Sequence, residues 1–242
     1  MSGSLRRGRA RLRKLWRLLG ERSYWRALSR GVAASVEHEE VPFQLEHRTV
    51  IDVGASKGQF ALFAQHRFPE AQIHSFEPLP GPAATLQRVT GGRVSLAMVA
   101  LGSEAGPARM NVSSRDDSSS LLPIGERQVR EFPGTGRESV AMVEVSTLDS
   151  QLDRALERPC LLKIDVQGLE LEVLKGAVST LPQVDEALVE CSFVELYEGQ
   201  ALVDEVIAFM LGLGLRLRGF HGTVFTEDGE PVQADLLFRR DG

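Results

Sequence analysis

The stretch Val50-Ile51-Asp52-Val53-Gly54-Ala55-Ser56-Lys57-Gly58-Gln59-Phe60 limits the folds open to this chain more than any other. An apolar run ends in an acid, breaks into small residues, and gives way to Phe60, Phe63 and Ala64 at helical spacing, which reads as strand, turn and helix. Gly54 and Gly58 allow positive φ and close approach of a ligand. The turn also leaves backbone N–H groups at a helix N-terminus, a setting that suits a phosphate or a carboxylate. The alternation continues with helix 58–67, strand 72–77, helix 81–89 and strand 94–101, the βαβ rhythm of a parallel sheet.

The residues around the turn discriminate between ligands. A dinucleotide fingerprint needs glycines at the positions held here by Gly54, Ser56 and Gln59, and two of the three are absent. Asp52, two residues before the turn, would repel a pyrophosphate and attract an ammonium group. S-adenosylmethionine carries an ammonium and a sulfonium. Glu77 ends the next apolar segment, Ile73-His74-Ser75-Phe76-Glu77-Pro78, where it can accept from two ribose hydroxyls, a feature that NAD sites share. Asp165 ends a later run, Leu161-Leu162-Lys163-Ile164-Asp165-Val166. Ligands of open parallel sheets bind beyond the carboxyl ends of the strands, so Asp52, Glu77 and Asp165 are expected on one rim. The expected cofactor set is Asp52, Gly54, Ala55, Ser56, Gly58, Glu77, Pro78, Ala100, Leu101 and Asp165, with Ala100 and Leu101 closing the third strand.

The 242 residues, 43% hydrophobic, can bury one sizeable core. Residues 1–30 hold ten Lys and Arg against Glu21 alone, a balance of +9, and the remainder holds 18 against 32, or −14, for the total of −5. An acidic core argues against a broad nucleic-acid face, because neutralisation of phosphates supplies most non-specific affinity. Leu12, Leu15, Trp16 and Leu19 fall on one face among arginines and Lys14, which predicts a basic amphipathic helix. It is expected to dock on the acidic core as a lid, with contact to anionic lipid or a lipid-linked substrate through residues 1–30 as the alternative. Residues 1–49 read as a helical extension, with 31–49 a polar helical connector whose His38 is expected to be solvated, and 50–242 as the main domain. No run approaches the roughly 18 apolar residues of a membrane span, and no apolar signal region opens the chain, so a cytosolic location is expected. Cys160 and Cys191 read as offset by roughly five residues on neighbouring strands, about 16 Å, too far for a disulfide.

Residues 107–146 interrupt the rhythm with polar segments and a Pro133-Gly134-Thr135-Gly136 turn before a strand pattern over 140–145. This is expected to be an insertion near the acceptor pocket. Strand 161–166 follows, then a helix whose face is Leu171, Leu174 and Val178, strand 186–193, helix 201–212, a strand near 215–220 and a last strand 234–239. A short hairpin through Asp228-Gly229 makes that last strand antiparallel. The predicted fold is α/β of the class I methyltransferase, Rossmann-like kind: a seven-stranded, mainly parallel sheet with an antiparallel last strand and helices on both faces.

Asp52-Val53-Gly54-Ala55, Phe76-Glu77-Pro78 and Lys163-Ile164-Asp165-Val166-Gln167-Gly168 together resemble the FkbM-type S-adenosylmethionine-dependent methyltransferases, as do Val189–Tyr197 and the closing Gln233–Phe238. The resemblance spans residues 45–240. Ser56 stands where that family commonly has Asn, and Gln167 where it commonly has Glu. The resemblance implies methylation of a hydroxyl on a small molecule such as a sugar, a glycolipid or a polyketide-like metabolite. Methyl transfer needs an aligned acceptor and a base. Asp165 is the first candidate base, Glu190 and His221 the next, and no ligand spacing supports a metal. Two rivals are a nucleic-acid methyltransferase that uses the basic arm and a non-catalytic cofactor-binding protein.

Overall fold

The computed structural model describes residues 21–152 and 155–241. The amphipathic helix expected over 12–19 lies outside them. In chain order the elements are α1 (Arg22–Leu28), a 3-10 turn (Val36–Glu40), β1 (Thr49–Val53), α2 (Gln59–Arg67), β2 (Gln72–Phe76), α3 (Pro80–Thr90), β3 (Ser95–Ala97), β4 (Ala100–Leu101), β5 (Gly106–Ser113), α4 (Glu126–Glu131), β6 (Arg137–Ser146), α5 (Leu148–Gln151), β7 (Cys160–Ile164), α6 (Glu170–Lys175), β8 (Glu186–Ser192), α7 (Val203–Gly212), β9 (Leu215–Phe225) and β10 (Pro231–Arg240).

Seven strands form the main sheet in the order β3-β2-β1-β7-β8-β10-β9, with β10 antiparallel to both neighbours and the other pairings parallel. This is the predicted fold, a class I methyltransferase sheet. The chain runs outward from β1 to β3 and returns on the far side of β1 as β7, so the crevice at their carboxyl ends is a topological switch point.

Two-residue periodicity divides the core between the two faces. Ile51, Val53, Leu162, Ile164, Val189 and Phe238 pack on the side of α7. Val50, Leu161, Leu188 and Leu237 pack with Phe60, Phe63 and Phe68 on the side of α2. Further along the α2 face the same alternation presents charged groups: Asp52 stands opposite Lys163 in register, and Glu190 opposite Asp235. One face of the sheet is therefore apolar at one end and ionic at the end near the crevice.

Several expectations are corrected. Residues 31–49 hold only the 3-10 turn rather than a helical connector, and Val32, Ala34 and Val36 pack with Tyr24, Ala27, Leu62 and Val89. His38 is buried, because the turn lays its ring edge-on against Phe60 at 5.1 Å. The strand expected over 94–101 splits, since β3 joins the main sheet whereas β4 joins β5 and β6 in a separate three-stranded sheet. The region 107–146 is thus built on a β pair, with Met110 and Val143 packing on Leu79 and Ala100. The helix after β7 ends at Lys175, leaving Val178 exposed. Both cysteines are buried thiols. No described helix is long and apolar enough to cross a membrane.

Candidate active site

A cleft of about 780 Å³ opens at the switch point. Of the expected cofactor residues, Gly54, Ala55, Ser56, Glu77, Pro78, Ala100, Leu101 and Asp165 line it. Asp52 and Gly58 do not. Asp52 is fully buried beneath the turn, where Ser75 Oγ donates to Oδ2 at 3.5 Å and Lys163 Nζ lies 3.6 Å from Oδ1. Its charge is answered from within the protein. Gly58 caps α2 with φ of 91°, and a Cβ there would meet Leu86 Cγ at 3.1 Å, so it serves the packing of α2 on α3.

Gly54 is required by close approach. A Cβ at this position would fall 1.8 Å from the Asp165 carbonyl oxygen, because Asp165 N donates to Val53 O and holds the end of β7 against the turn. Two non-glycine residues among those described have positive φ, Ser56 at 46° and Gln167 at 58°, and both line the cleft. Backbone strain gathered at one cavity points to a function there. Glu77 is fixed from below by Ser56 N, which donates to Oε2 at 2.9 Å, and by Leu79 N, which donates to Oε1 at 2.8 Å. A carboxylate fixed in this way can also accept from a ligand hydroxyl.

The site also fits the cofactor by what it leaves unsatisfied. Ser56 Oγ and Gln59 Oε1 are buried, line the cleft, and have no hydrogen-bond partner among the described residues. Val99, Ala100, Leu101, Met110 and Leu121 add an apolar wall suited to a base ring, near the carboxylate suited to a ribose. Among the described residues, no group of three or more His, Cys, Asp or Glu is placed to hold a metal ion.

Beyond the turn lies a charged cluster. Lys163, 8% exposed, bridges Asp52 and Asp165, with Nζ 3.4 Å from Asp165 Oδ2, and it passes over the Phe60 ring. Gln167 Nε2 donates to both Asp165 Oδ1 (2.7 Å) and Glu190 Oε2 (2.9 Å), while its Oε1 accepts from Tyr197 Oη at 2.6 Å. The tyrosine thereby orients the amide so that its donors face the two acids, an arrangement a carboxylate at 167 would not provide. Burial pushes the Asp165 carboxyl up, but Lys163 and the donor from Gln167 outweigh it and hold the group below the usual range. Burial, then the charges of Asp165 and Asp235, push Glu190 well above its ordinary value. The same surroundings thus drive the two neighbouring acids apart, Asp165 down and Glu190 up.

A second cleft of about 230 Å³ adjoins the first, and the two share Arg115, Asp117, Asp165, Gln167, Glu190, Gly222 and Asp235. Glu190, expected near the carboxyl end of a later strand, lies in β8 and lines both clefts. His221 does not line either cleft: its Nε2 would lie 3.1 Å from a Cβ on Gly219, so the ring folds back along its own strand. Sequence reasoning missed Lys163, Gln167, His38 and Asp235. For two of these there was a signal, since Lys163 and Asp235 are charges inside otherwise apolar strand runs and so need partners.

Comparison with known proteins agrees with this geometry. The profile of the family described as "Methyltransferase FkbM domain" matches residues 52–220. The "2-O-methyltransferase NoeI" of Sinorhizobium fredii is 32% identical over 176 residues, covering 67% of this chain and 72% of its own. The "31-O-demethyl-FK506 methyltransferase FkbM" of Streptomyces tacrolimicus is 29% identical over 192 residues, covering 68% and 71%. The crystal structure of a methyltransferase FkbM from Methylobacillus flagellatus superposes with a TM-score of 0.56 at 14% identity, over 89% of this chain and 53% of the other, which is a likeness of fold.

Proposed function

We propose a reaction from the premise that the chain belongs to the FkbM family of S-adenosylmethionine-dependent methyltransferases: it methylates a hydroxyl oxygen of a small molecule. When bound, S-adenosylmethionine supplies an electrophilic methyl carbon on a positively charged sulfur. The observation that carries the reading is the junction at which the two clefts share Asp165, Gln167, Glu190 and Asp235. A methyl group presented from the larger cleft would meet an acceptor entering from the smaller one.

In this reading Glu77 holds the ribose hydroxyls, Ser56 and Gln59 meet further polar groups of the cofactor, and Val99, Met110 and Leu121 cover its base. Asp165, kept ionised by Lys163 and Gln167, complements positive charge at the reacting centre. Glu190, kept protonated, donates to a neighbouring oxygen of the acceptor. Alignment by these groups supplies much of the acceleration expected for an in-line displacement. Four carboxyl groups, Asp117, Asp165, Glu190 and Asp235, outnumber Arg115 at the junction and disfavour a polyphosphate, so a small molecule fits better than nucleic acid. The names of these two relatives, each specifying an O-linked position, favour oxygen over nitrogen or carbon. A cytosolic location accords with two buried thiols and no disulfide.

The test is to incubate the protein with cofactor bearing a 13C-methyl group and fractionated small-molecule extract, then read the label by carbon NMR. Label in an O-methyl group of a small product is expected. Label on nitrogen or carbon, or recovered only in nucleic acid, would overturn the proposal.

A further inference from the structure

The segment before β1 contributes to the cleft wall, although it precedes the residues matched by the family profile: Gly31, Val32, Ser35 and His38 all line the cavity. His38 is the only histidine on that wall. Its Nδ1 lies 3.2 Å from the Ser35 carbonyl oxygen. A carbonyl only accepts, so Nδ1 carries the hydrogen, and in the neutral ring Nε2 then holds a bare lone pair. That nitrogen lies 3.6 Å from Asp235 Oδ2, one of the carboxylates at the junction of the two clefts. Phe60 and Phe63 pack on the ring at 5.1 and 5.7 Å and fix its plane.

We infer that His38 is a catalytic residue, the base that takes the proton of the acceptor hydroxyl, with Asp235 opposing the charge that forms on it. This rests on the methyltransferase reading but does not require a particular acceptor. The O–H bond breaks with its electron pair left on oxygen and its proton placed on His38 Nε2. Oxygen forms the new bond to the methyl carbon, and the carbon–sulfur pair stays with sulfur. One positive charge disappears from sulfur and one appears on the imidazole, which later passes its proton to solvent. The groups around the ring suit that transfer: Asp235 from β10, Glu190 from β8 and Asp52 from β1 are carboxyl groups, Lys163 from β7 is paired to Asp52 and Asp165, α2 packs Phe60 and Phe63 against the ring and brings Gln59 to the same cleft, and Glu37 of its own turn lines that cleft too. Asp165 is already committed as an anion by Lys163, which lowers its basicity.

The experiment needs no acceptor. Sinefungin bears a protonated amine where the cofactor bears its methylated sulfur, whereas S-adenosylhomocysteine has a neutral sulfur there. Their dissociation constants are measured by calorimetry for the wild type and for His38→Asn, whose amide keeps the donor to Ser35 O and lacks Nε2. The wild type should favour sinefungin, and His38→Asn should reduce that preference roughly tenfold to a hundredfold, the range for a hydrogen bond to a charged group, with S-adenosylhomocysteine affinity within about twofold. Nitrogen NMR of the unliganded wild type should find the His38 ring protonated at Nδ1 at high pH. An unchanged preference in the variant, an equal loss of both ligands, or a ring protonated at Nε2 would each overturn the assignment. Transfer to nitrogen in place of oxygen would refute the proposed acceptor chemistry and leave these ratios intact, so the two readings fail separately.

Discussion

Lys163→Met removes the cation between two acids while keeping most of the side-chain volume. Lys163 Nζ lies 3.6 Å from Asp52 and 3.4 Å from Asp165, and the Asp52 side chain is wholly buried. At an effective dielectric of about 20, each contact is worth roughly 5 kcal/mol of gross attraction. Relief of the lysine's own desolvation offsets much of that, and the net loss for breaking a buried pair from one side is about 3–5 kcal/mol. For a chain of this size that corresponds to a fall in Tm of roughly 6–20 °C. The pH dependence fixes the cause. Burial already raises the Asp52 carboxyl above its ordinary value, and without Lys163 it should rise further. A carboxyl whose folded-state pKa exceeds its unfolded value favours the native state below the unfolded value, and that contribution is lost as pH rises through the folded one. The gap between variant and wild type should therefore be wide at pH 8 and narrow toward pH 5. Adding Asp52→Asn to Lys163→Met should recover most of the loss, as calorimetric melting across this pH range can show. A single variant within about 1 kcal/mol of wild type at pH 8, or a loss that does not change with pH, would refute the account.

Glu77→Ala should weaken S-adenosylhomocysteine binding by about 1.5–3 kcal/mol, measured by calorimetry. Because Glu77 also accepts from Ser56 N and Leu79 N, the same variant should lose about 1–3 kcal/mol of stability for the donors left unpaired. Normal affinity would place the ribose elsewhere. Asp165→Asn should weaken S-adenosylmethionine more than S-adenosylhomocysteine, by about tenfold, since only the former carries the sulfonium; equal loss would remove charge complementarity as its role. Glu170, which accepts from Val166 N and Gly168 N, is pushed by burial to about 7. Its contribution to stability is present below the unfolded carboxyl value and is lost as pH rises through about 7. Glu170→Gln keeps an acceptor for those amides and should flatten the fall in denaturant midpoint between pH 5 and 8; an unchanged slope would assign that limb to another group.

The sheet was legible because its strands are short apolar runs ending in acids or small residues, a local pattern that burial on both faces imposes. Asp165 and Glu77 were legible for the same reason, since a carboxylate at the carboxyl end of such a run has nowhere to be but the rim. Asp52 shows the limit of the rule. It lies one residue short of the end of β1, so the pleat turns it under the turn rather than out to a ligand, and its partner Lys163 is set by the β1–β7 register, which no local pattern reveals. His221 follows the same logic in reverse: its place at the carboxyl end of the strand read near 215–220 suggested the rim, but the ring lies back along Gly219.

His38 was misread for a different reason. Glu37-His38-Glu39-Glu40 has the composition of a solvated helix, and its burial depends on where a segment with few intrinsic preferences is led by its neighbours. Val32, Ala34 and Val36 alternate into a pocket made by Tyr24, Leu62 and Val89, and that packing carries the following turn over the open end of the sheet. The ionic end of the sheet and the ring that covers it thus come from opposite sides of the fold, one from the strand register and the other from the apolar staple before β1. Cutting that staple tests the connection: Val36→Ala should cost about 1–2 kcal/mol, in the range of a small buried aliphatic truncation. If the staple positions His38, it should also lower the preference for sinefungin over S-adenosylhomocysteine, although Val36 is absent from the cleft wall. Loss of stability with the preference intact would mean that Phe60 and Ser35 hold the ring unaided.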